Sequence, residues 1–203
     1  MLESAHNYNY TLLTAIRFNI IASTFKYGEE DAQEELLDLL KLLGDRQPDV
    51  EITDINGIVV AYTNLGPLEI IDSLRRLVKE EPWHVRYILR LIPVELMVRT
   101  NLEDLTKSVK SLTPKMHPED TFRITIERRH TILKPADIIA RLASKIDNKV
   151  QLKNPDWIVL VEIIGAFAGV SILRPDQIFR SVIEKRNSSN RSNGSFGCDD
   201  TTV

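Results

Sequence analysis

The chain of 203 residues is long enough for one ordinary domain or two small ones. Its hydrophobic residues (43%) and charged residues (27%) lie near the averages for soluble globular proteins, which excludes collagen-like, wholly disordered and supercharged chains. The formal net charge of -3 excludes a protein that is basic throughout. The single cysteine, Cys198, excludes an internal disulfide and argues against a zinc or iron–sulfur site built on thiolates.

The first half of the sequence alternates strand and helix patterns. Strands are predicted at 17–25, 50–54, 57–63 and 85–92, and helices at 29–43 and from Pro67 to just before Pro82. Asn56-Gly57 predicts a tight hairpin turn between the second and third strands. The second helix is expected to bury Leu68, Ile71, Leu74 and Leu77. The order βαββαβ predicts a ferredoxin-like unit over residues 1–95, within an α+β fold class.

The second half has a different order of elements. A helix is predicted to begin at Thr100, with a capping box formed with Glu103, and to end at Thr113-Pro114. A strand follows at 122–127, then a helix from Pro135, a buried hairpin at 157–173 that turns near Gly165, and a short helix from Pro175 to about Lys185. The order αβαββα is predicted to form a second domain over residues 96–186.

Three stretches of the sequence indicate where the protein is located in the cell and which part of it is disordered. The run 157–173 carries one charged residue, Glu162, but is shorter than the about 20 apolar residues that span a bilayer, so a buried hairpin is favoured and no membrane contact is expected. The first 20 residues lack the apolar core of a secretory signal, which predicts a cytoplasmic protein. The Asn-, Ser-, Gly- and Asp-rich segment 187–203 is predicted to be a disordered tail.

The sequence holds none of the short motifs that carry catalysis or bind a cofactor. No two of its four histidines have metal-ligand spacing, and no Walker, Rossmann or nucleophile-elbow pattern occurs. We therefore expect no enzyme activity, no cofactor and no metal ion.

The charge divides unevenly along the chain. Residues 1–98 hold nine basic and sixteen acidic side chains, whereas residues 99–153 hold twelve basic and seven acidic ones. An anionic partner would gain from this basic segment and from the free amides at the helix N-terminus near Pro135, although a merely solvated charged surface is an equal alternative. The candidate phosphate-binding side chains, as charge donors and not as catalysts, are Arg123, Arg128, Arg129, Lys134, Lys149 and Lys153.

Two stretches resemble a known family. The segment 150–163 (VQLKNPDWIVLVEI), with the strand 121–129 (TFRITIERR) before it, resembles the core of a THUMP domain, and the segment 86–93 (RYILRLIP) resembles the last strand of the ferredoxin-like unit that usually precedes one. The element order from residue 100 to 173 also fits. Most THUMP proteins carry a catalytic domain for tRNA thiolation, methylation or deamination, and this chain is expected to be too short to contain one.

The resemblance therefore implies a stand-alone THUMP protein, a tRNA-binding adaptor. It would present tRNA to a separate acetyltransferase that forms 4-acetylcytidine in the D-arm, and it would contact the acceptor stem and 3′ end. Two alternatives stay open. The chain could be a protein–protein scaffold without direct RNA binding, or the RNA-binding subunit of a different tRNA-modifying enzyme that acts by thiolation or methylation.

Overall fold

A computed structural model describes residues 17–192, with side chains described through Asn187. The described chain contains ten strands and five α-helices, arranged around two five-stranded sheets. In chain order the elements are β1 (Ile20–Ser23), α1 (Glu29–Leu42), β2 (Asp49–Ile52), β3 (Ile58–Tyr62), α2 (Pro67–Glu80), β4 (Arg90–Pro93), β5 (Leu96–Arg99), α3 (Leu102–Leu112), β6 (Thr121–Arg129), α4 (Pro135–Ala143), β7 (Lys149–Val150), β8 (Trp157–Ile164), β9 (Phe167–Leu173), β10 (Phe179–Arg180) and α5 (Ser181–Ser192).

The first sheet has the strand order β10-β4-β1-β3-β2, with every neighbouring pair antiparallel. Helices α1 and α2 supply Leu36, Leu40 and Leu74 to a core against one face of this sheet. The element order from β1 to β4 is β-α-β-β-α-β, as predicted. Each helix connects two strands that are not neighbours in the sheet.

The second sheet has the order β5-β9-β8-β6-β7. Strands β6 and β8 run parallel because α4 returns the chain across the sheet between them, whereas β8 and β9 form the predicted antiparallel hairpin. Helices α3 and α4 cover one face, where Leu105, Ile138 and Leu142 are buried. The structure is therefore a mixed α/β protein with two sheets.

The uncovered faces of the two sheets pack against each other. Ile21 and Ile92 from the first sheet meet Ile158 and Leu160 from the second in a third apolar cluster. The sheets approach each other closely at Gly169, because a Cβ atom there would lie 2.8 Å from Val94 Cγ2 and 3.2 Å from Cδ1 of Ile21 on β1. The result is a layered order of helices, sheet, sheet and helices.

The fourth strand lies later than predicted. The pattern at 85–92 predicts a strand, but β4 begins at Arg90, after a short 3₁₀ turn at Pro82–His84. The Glu35 carboxylate on α1 accepts hydrogen bonds from the backbone N–H groups of Arg86, Tyr87 and Ile88. These side-chain bonds satisfy backbone donors that sheet pairing would otherwise use.

Two predicted helix details are wrong. The buried face of α2 carries Ile70 and Val78 besides Ile71 and Leu74, whereas Leu68 is exposed, because the apolar stripe is rotated from the predicted one. The cap of α3 is Asn101, whose side chain accepts from the Asp104 backbone N–H at 2.8 Å; Thr100 is one residue too early to cap this helix.

The C-terminal part of the described chain also departs from the predicted single helix. A 3₁₀ turn at Pro175–Gln177 precedes β10, which pairs with β4 and so returns the chain to the first sheet. Helix α5 then runs to Ser192, so residues 187–192, which the composition assigned to a disordered tail, are helical. The rest of that segment, with Cys198, lies outside the described residues. None of the helices in residues 17–192 is long and apolar enough to cross a membrane.

Candidate functional site

Strand β6 divides the predicted cations between opposite faces of the second sheet. Side chains alternate along a strand, so Phe122 and Ile124 join the core under α3 and α4 while Arg123 and Arg129 face the other way, toward the first sheet. Arg128 is exposed on the helix side. The six predicted cations therefore do not form one patch.

A buried carboxylate organises the face between the sheets. Glu162 on β8 is 1% exposed and accepts a 2.9 Å hydrogen bond from Nη1 of Arg129. Arg90 Nη2, from β4 of the first sheet, lies 3.8 Å from the other Glu162 oxygen. Burial raises the pKa of Glu162 above its ordinary value, and the hydrogen bond and charge of Arg129 and the charge of Arg90 oppose this shift.

Two more arginines lie beside this group. Arg180 on β10 is directly opposite Arg90 in the antiparallel register, and their neighbours Phe179 and Leu91 point into the core under the helices, so both arginines face the second sheet. Burial, followed by the charges of Arg90 and Arg123, lowers the pKa of Arg180. We call Arg90, Arg123, Arg129 and Arg180, which all face the space between the two sheets, the arginine cleft; the Glu162 and Glu127 carboxylates lie in the same space.

Sequence reasoning missed Arg90, Arg180 and Glu162 as members of one cluster. Arg90 and Arg180 are far apart in sequence and meet only because β10 pairs with β4. The available signal was Glu162 itself, the single charge in an otherwise apolar strand, because a buried carboxylate requires a cationic partner.

A second set of cations lies at the end of β6. Arg128 donates to the Leu133 carbonyl at 3.3 Å, and Lys134 is the uncapped residue that precedes α4. His130 adopts a left-handed backbone with φ of 53°, which turns the chain sharply after the strand. Ile132, at the tip of this loop, is 98% exposed. The loop thus presents two cations and one apolar side chain to solvent.

Lys149 and Lys153 lie at the opposite end of β6. Lys149 pairs with Thr121, eight residues before Arg129, which at about 3.3 Å per residue places the two ends some tens of ångströms apart. Both lysines are exposed. Lys153 belongs to the turn 152–156, in which Asn154 has a positive φ and the Asp156 carboxylate accepts the N–H and the hydroxyl of Thr121.

An aromatic contact supports the same end of the sheet. The Arg174 guanidinium lies 3.9 Å from the centre of the Trp157 ring, and the indole N–H of Trp157 donates to Asp120 at 2.6 Å. That hydrogen bond lowers the pKa of Asp120. The fixed Trp157 and Asp120 hold the start of β8 in position beside Lys149 and Lys153.

The first unit carries a groove of opposite charge. A groove of about 820 Å³ lies between α1 and residues 82–88, with Trp83 56% exposed at its edge. Four carboxylates and two permanent cations line it, namely Asp31, Glu34, Glu35, Asp38, Lys41 and Arg86. Within residues 17–192 no group of three or more His, Cys, Asp or Glu side chains is arranged to hold a metal ion.

Comparison with known proteins identifies the second unit. Residues 99–173 match the family model described as THUMP domain, so this part of the chain is a THUMP domain. The chain is homologous to THUMP domain-containing protein 1: it is 29% identical to the human protein over 175 residues, which cover 75% of this chain and 48% of that protein. The mouse protein is 28% identical over 173 residues, covering 75% and 49%.

The chain spans about half the length of the curated relatives it matches. Among solved structures, PH1313 from Pyrococcus horikoshii superposes with a TM-score of 0.60 at 18% identity, covering 76% of this chain and 54% of that chain. This structural match shows a shared fold. It extends beyond the THUMP segment, since 76% of this chain is more than residues 99–173.

Proposed function

We propose that this protein is a tRNA-binding adaptor. The observation that carries the proposal is the THUMP domain at residues 99–173, because THUMP domains are associated with tRNA binding and with tRNA-modifying enzymes. Its cations lie on a rigid α/β frame, and RNA helices are recognised mostly through their shape and backbone phosphates, without a sequence-reading motif. The homology to THUMP domain-containing protein 1 supports the same class.

The exposed cations at the two ends of β6 are proposed to contact phosphates. Arg128 and Lys134 stand at one end, and Lys149 and Lys153 at the other. Such widely separated charges suit a long helical ligand such as the acceptor stem better than a small one. Arg123 and Arg129 are proposed to contribute positive charge from the arginine cleft, where Arg129 is hydrogen-bonded to Glu162.

The chemistry is proposed to belong to a separate enzyme. By resemblance, the partner is the acetyltransferase that forms 4-acetylcytidine in the tRNA D-arm, and the chain itself has neither catalytic role nor cofactor. Purified protein incubated with tRNA and acetyl-coenzyme A is expected to yield no modified nucleoside until the acetyltransferase is added. Product formed by this chain alone would contradict the adaptor role, and stimulation of a thiolase or methylase instead would indicate a different partner.

The remaining parts of the proposal concern the first unit and location. The order β4-β1-β3-β2, antiparallel throughout with α1 and α2 on one face, supports a ferredoxin-like unit that works together with the THUMP domain. We propose a cytoplasmic location, where tRNA is available, and fluorescence microscopy of the tagged full chain would test it.

A second activity, protein docking, is favoured by the groove beside α1. Its carboxylates outnumber its cations, and Trp83 offers an exposed apolar surface, so a basic segment of the partner enzyme would complement it. Replacing Glu34 and Asp38 with Lys is expected to weaken capture of the enzyme. The same replacement of Glu69 and Asp72, exposed on α2, is the matched control. If nuclease treatment does not prevent capture, and the two pairs of replacements weaken capture equally, the groove is not the docking site.

Titration of labelled tRNA at two salt concentrations tests the RNA-binding proposal. Binding is expected to weaken steeply as salt rises, because each neutralised phosphate releases counterions. An acceptor-stem minihelix is expected to retain most of the affinity. Absence of binding at low salt, or binding that salt does not change, would contradict the proposal, whereas a minihelix that fails to bind would relocate the contact to another part of tRNA.

A further inference from the structure

The positive charge of the arginine cleft exceeds what its carboxylates neutralise. Arg129 donates a hydrogen bond to Glu162, and the nearby Glu184 carboxylate accepts a 2.9 Å hydrogen bond from Nε of Arg75. Arg90 is ion-paired to the Glu162 carboxylate as well, with Nη2 of Arg90 at 3.8 Å from the second Glu162 oxygen. Glu127 lies on the same face of β6 as Arg123 and Arg129, and the Glu184 charge acts on Arg180, so four guanidinium groups share three carboxylates, one of which is also hydrogen-bonded to Arg75.

The strand register makes this arrangement unfavourable in the free protein. Arg180 and Arg90 are directly opposite each other on adjacent antiparallel strands, where side chains are about 5 Å apart at Cβ and like charges repel. Burial and then the charges of Arg90 and Arg123 lower the pKa of Arg180, and the charge of Glu184 opposes this shift. An anion placed among the three arginines would convert this repulsion into attraction.

Unsatisfied donors point to the same place. Nε of Arg90 and Nε of Arg123 are both buried and make no hydrogen bond within the described chain, and neither does Oε1 of Glu162 beside Arg90. A buried donor without a partner costs about 1–3 kcal/mol, so such atoms are normally paired. The two atoms come from different sheets, Arg90 from β4 and Arg123 from β6, so a single bridging group with several acceptor oxygens would serve both.

Solvent reaches the cluster along one side. Arg180 lines a groove of about 380 Å³ together with Arg75, Glu184 and Ile178. The side chain of Arg90 retains 27% of its surface, so its guanidinium end is not sealed within the core. A small anionic group can therefore approach Arg180 from this groove, whose lining also includes Asp176.

We propose that a phosphate group binds between Arg90, Arg123 and Arg180 and bridges the two sheets. Its tetrahedral oxygens match several guanidinium donors at once, which a carboxylate matches less well. Glu162 acts as a positioning residue, because it holds Arg129 through a hydrogen bond and attracts Arg90, at 3.8 Å, toward the site. This inference rests on the proposed function for its source: the phosphate is one phosphodiester of the bound RNA, inserted between the sheets.

The first arm of the test uses inorganic phosphate and thermal unfolding of the full chain. At constant ionic strength, phosphate at about ten times its dissociation constant is expected to raise the Tm by about 4 °C relative to chloride. Arg180→Gln is expected to abolish this rise, and also to leave the Tm in chloride unchanged or higher, since it relieves the repulsion with Arg90. Arg46→Gln, exposed on the first unit, is the control and is expected to respond like the wild type.

Arg123→Gln provides an independent variant on the other sheet, in case Arg180→Gln does not fold. A phosphate-induced rise in Tm that persists in the folded Arg123→Gln or Arg180→Gln protein would overturn the proposal. So would a wild-type Tm that is the same in phosphate and chloride.

The second arm uses tRNA, and it separates this inference from the proposed function. Arg180→Gln is expected to weaken tRNA binding about tenfold and to reduce the salt slope by about one, with Arg46→Gln unchanged. If phosphate stabilises through the cleft but tRNA affinity does not change in Arg180→Gln, the anion site stands and its RNA source is overturned. If neither the wild type nor any variant binds tRNA, the proposed function is contradicted. Thermal unfolding in inorganic phosphate still tests the anion site in that case.

Discussion

The Arg129 guanidinium donates a 2.9 Å hydrogen bond to the Glu162 carboxylate, which is 1% exposed between the two sheets. The two residues lie on adjacent parallel strands, β6 and β8, and project toward the first sheet. Arg90 approaches the same carboxylate from that sheet at 3.8 Å. One buried acid thus connects the THUMP domain with the unit that precedes it.

Removing the cationic partner of Glu162 is expected to destabilise the fold. Arg129→Met should lower the free energy of unfolding by about 3 kcal/mol, because it leaves a buried carboxylate with only the more distant Arg90. The double variant Arg129→Met with Glu162→Met should recover most of that loss. Urea unfolding followed by circular dichroism at pH 7 measures both.

The matched control for this pair is Arg128→Met, one residue earlier and exposed on the opposite face of β6. Its effect should stay within about 0.5 kcal/mol. Equal stability of Arg129→Met and Arg128→Met would mean that the ion pair contributes nothing to the connection between the sheets.

The raised pKa of Glu162 predicts a defined pH dependence. Between its ordinary value of 4.5 and its raised value in the folded state, the native protein keeps a proton that the unfolded chain has lost. The native state is therefore favoured at the acid end of this window, and the contribution of Glu162 to stability should fall as pH rises through it. Glu162→Gln lacks this contribution, so the wild-type stability minus that of Glu162→Gln should decrease with rising pH.

Urea unfolding of the two proteins at a series of pH values from 4 upward gives this difference directly, because the other titrating groups are common to both. Parallel stability curves would show that the Glu162 carboxyl titrates alike in the folded and unfolded chains. If wild-type stability minus that of Glu162→Gln increases with pH, folding lowers the pKa of Glu162, contrary to the expectation.

The close approach of the sheets makes Gly169 sensitive to any side chain. A Cβ atom at this position would lie 2.8 Å and 3.1 Å from the two methyl carbons of Val94 and 3.2 Å from Cδ1 of Ile21. Gly169→Ala should therefore destabilise the protein by about 2 kcal/mol through overpacking. Adding Val94→Ala should relieve the clash, so the double variant should be more stable than the sum of the two single changes indicates. Strict additivity in thermal or urea unfolding would contradict this packing.

The structure moves the predicted cap of α3 by one residue, which a pair of substitutions tests. Asn101→Ala should destabilise the protein by about 1 kcal/mol, because the side chain of Asn101 accepts from the Asp104 N–H. Thr100→Ala removes the residue that the sequence pattern favoured, and its hydroxyl makes no hydrogen bond within the described chain. A larger loss for Thr100→Ala than for Asn101→Ala in urea unfolding would restore the capping box at Thr100.

Most of the fold could be predicted from local patterns in the sequence. The alternation from Phe122 to Glu127, the apolar hairpin with a turn at Gly165 and the Asn56-Gly57 turn each depend on neighbours in sequence, and each occurs where predicted. The late start of β4 depends instead on the Glu35 carboxylate, 51 to 53 residues away along the chain. No local pattern reports such a contact.

The candidate site depends still more on tertiary pairing. Counting charges located the basic segment and named Arg123 and Arg129. A charge count does not distinguish Arg128 from Arg129, although strand alternation places them on opposite faces of the sheet. The arginine cleft needs Arg180 beside Arg90, and the short strand β10 that brings them together was predicted as part of a helix. Only two residues form that strand, too few for a periodic signal.

The most direct test of the account is the salt dependence of tRNA binding by a variant that lacks the four exposed cations, Arg128→Ala, Lys134→Ala, Lys149→Ala and Lys153→Ala. Relative to the wild type, its affinity should fall at low salt, and the slope of log K against log salt should decrease by about three to four. The control Lys41→Ala with Lys79→Ala, exposed on the first unit, should keep the wild-type slope. An unchanged slope and affinity in the quadruple variant would contradict the claim that this THUMP domain holds tRNA through its charged surface.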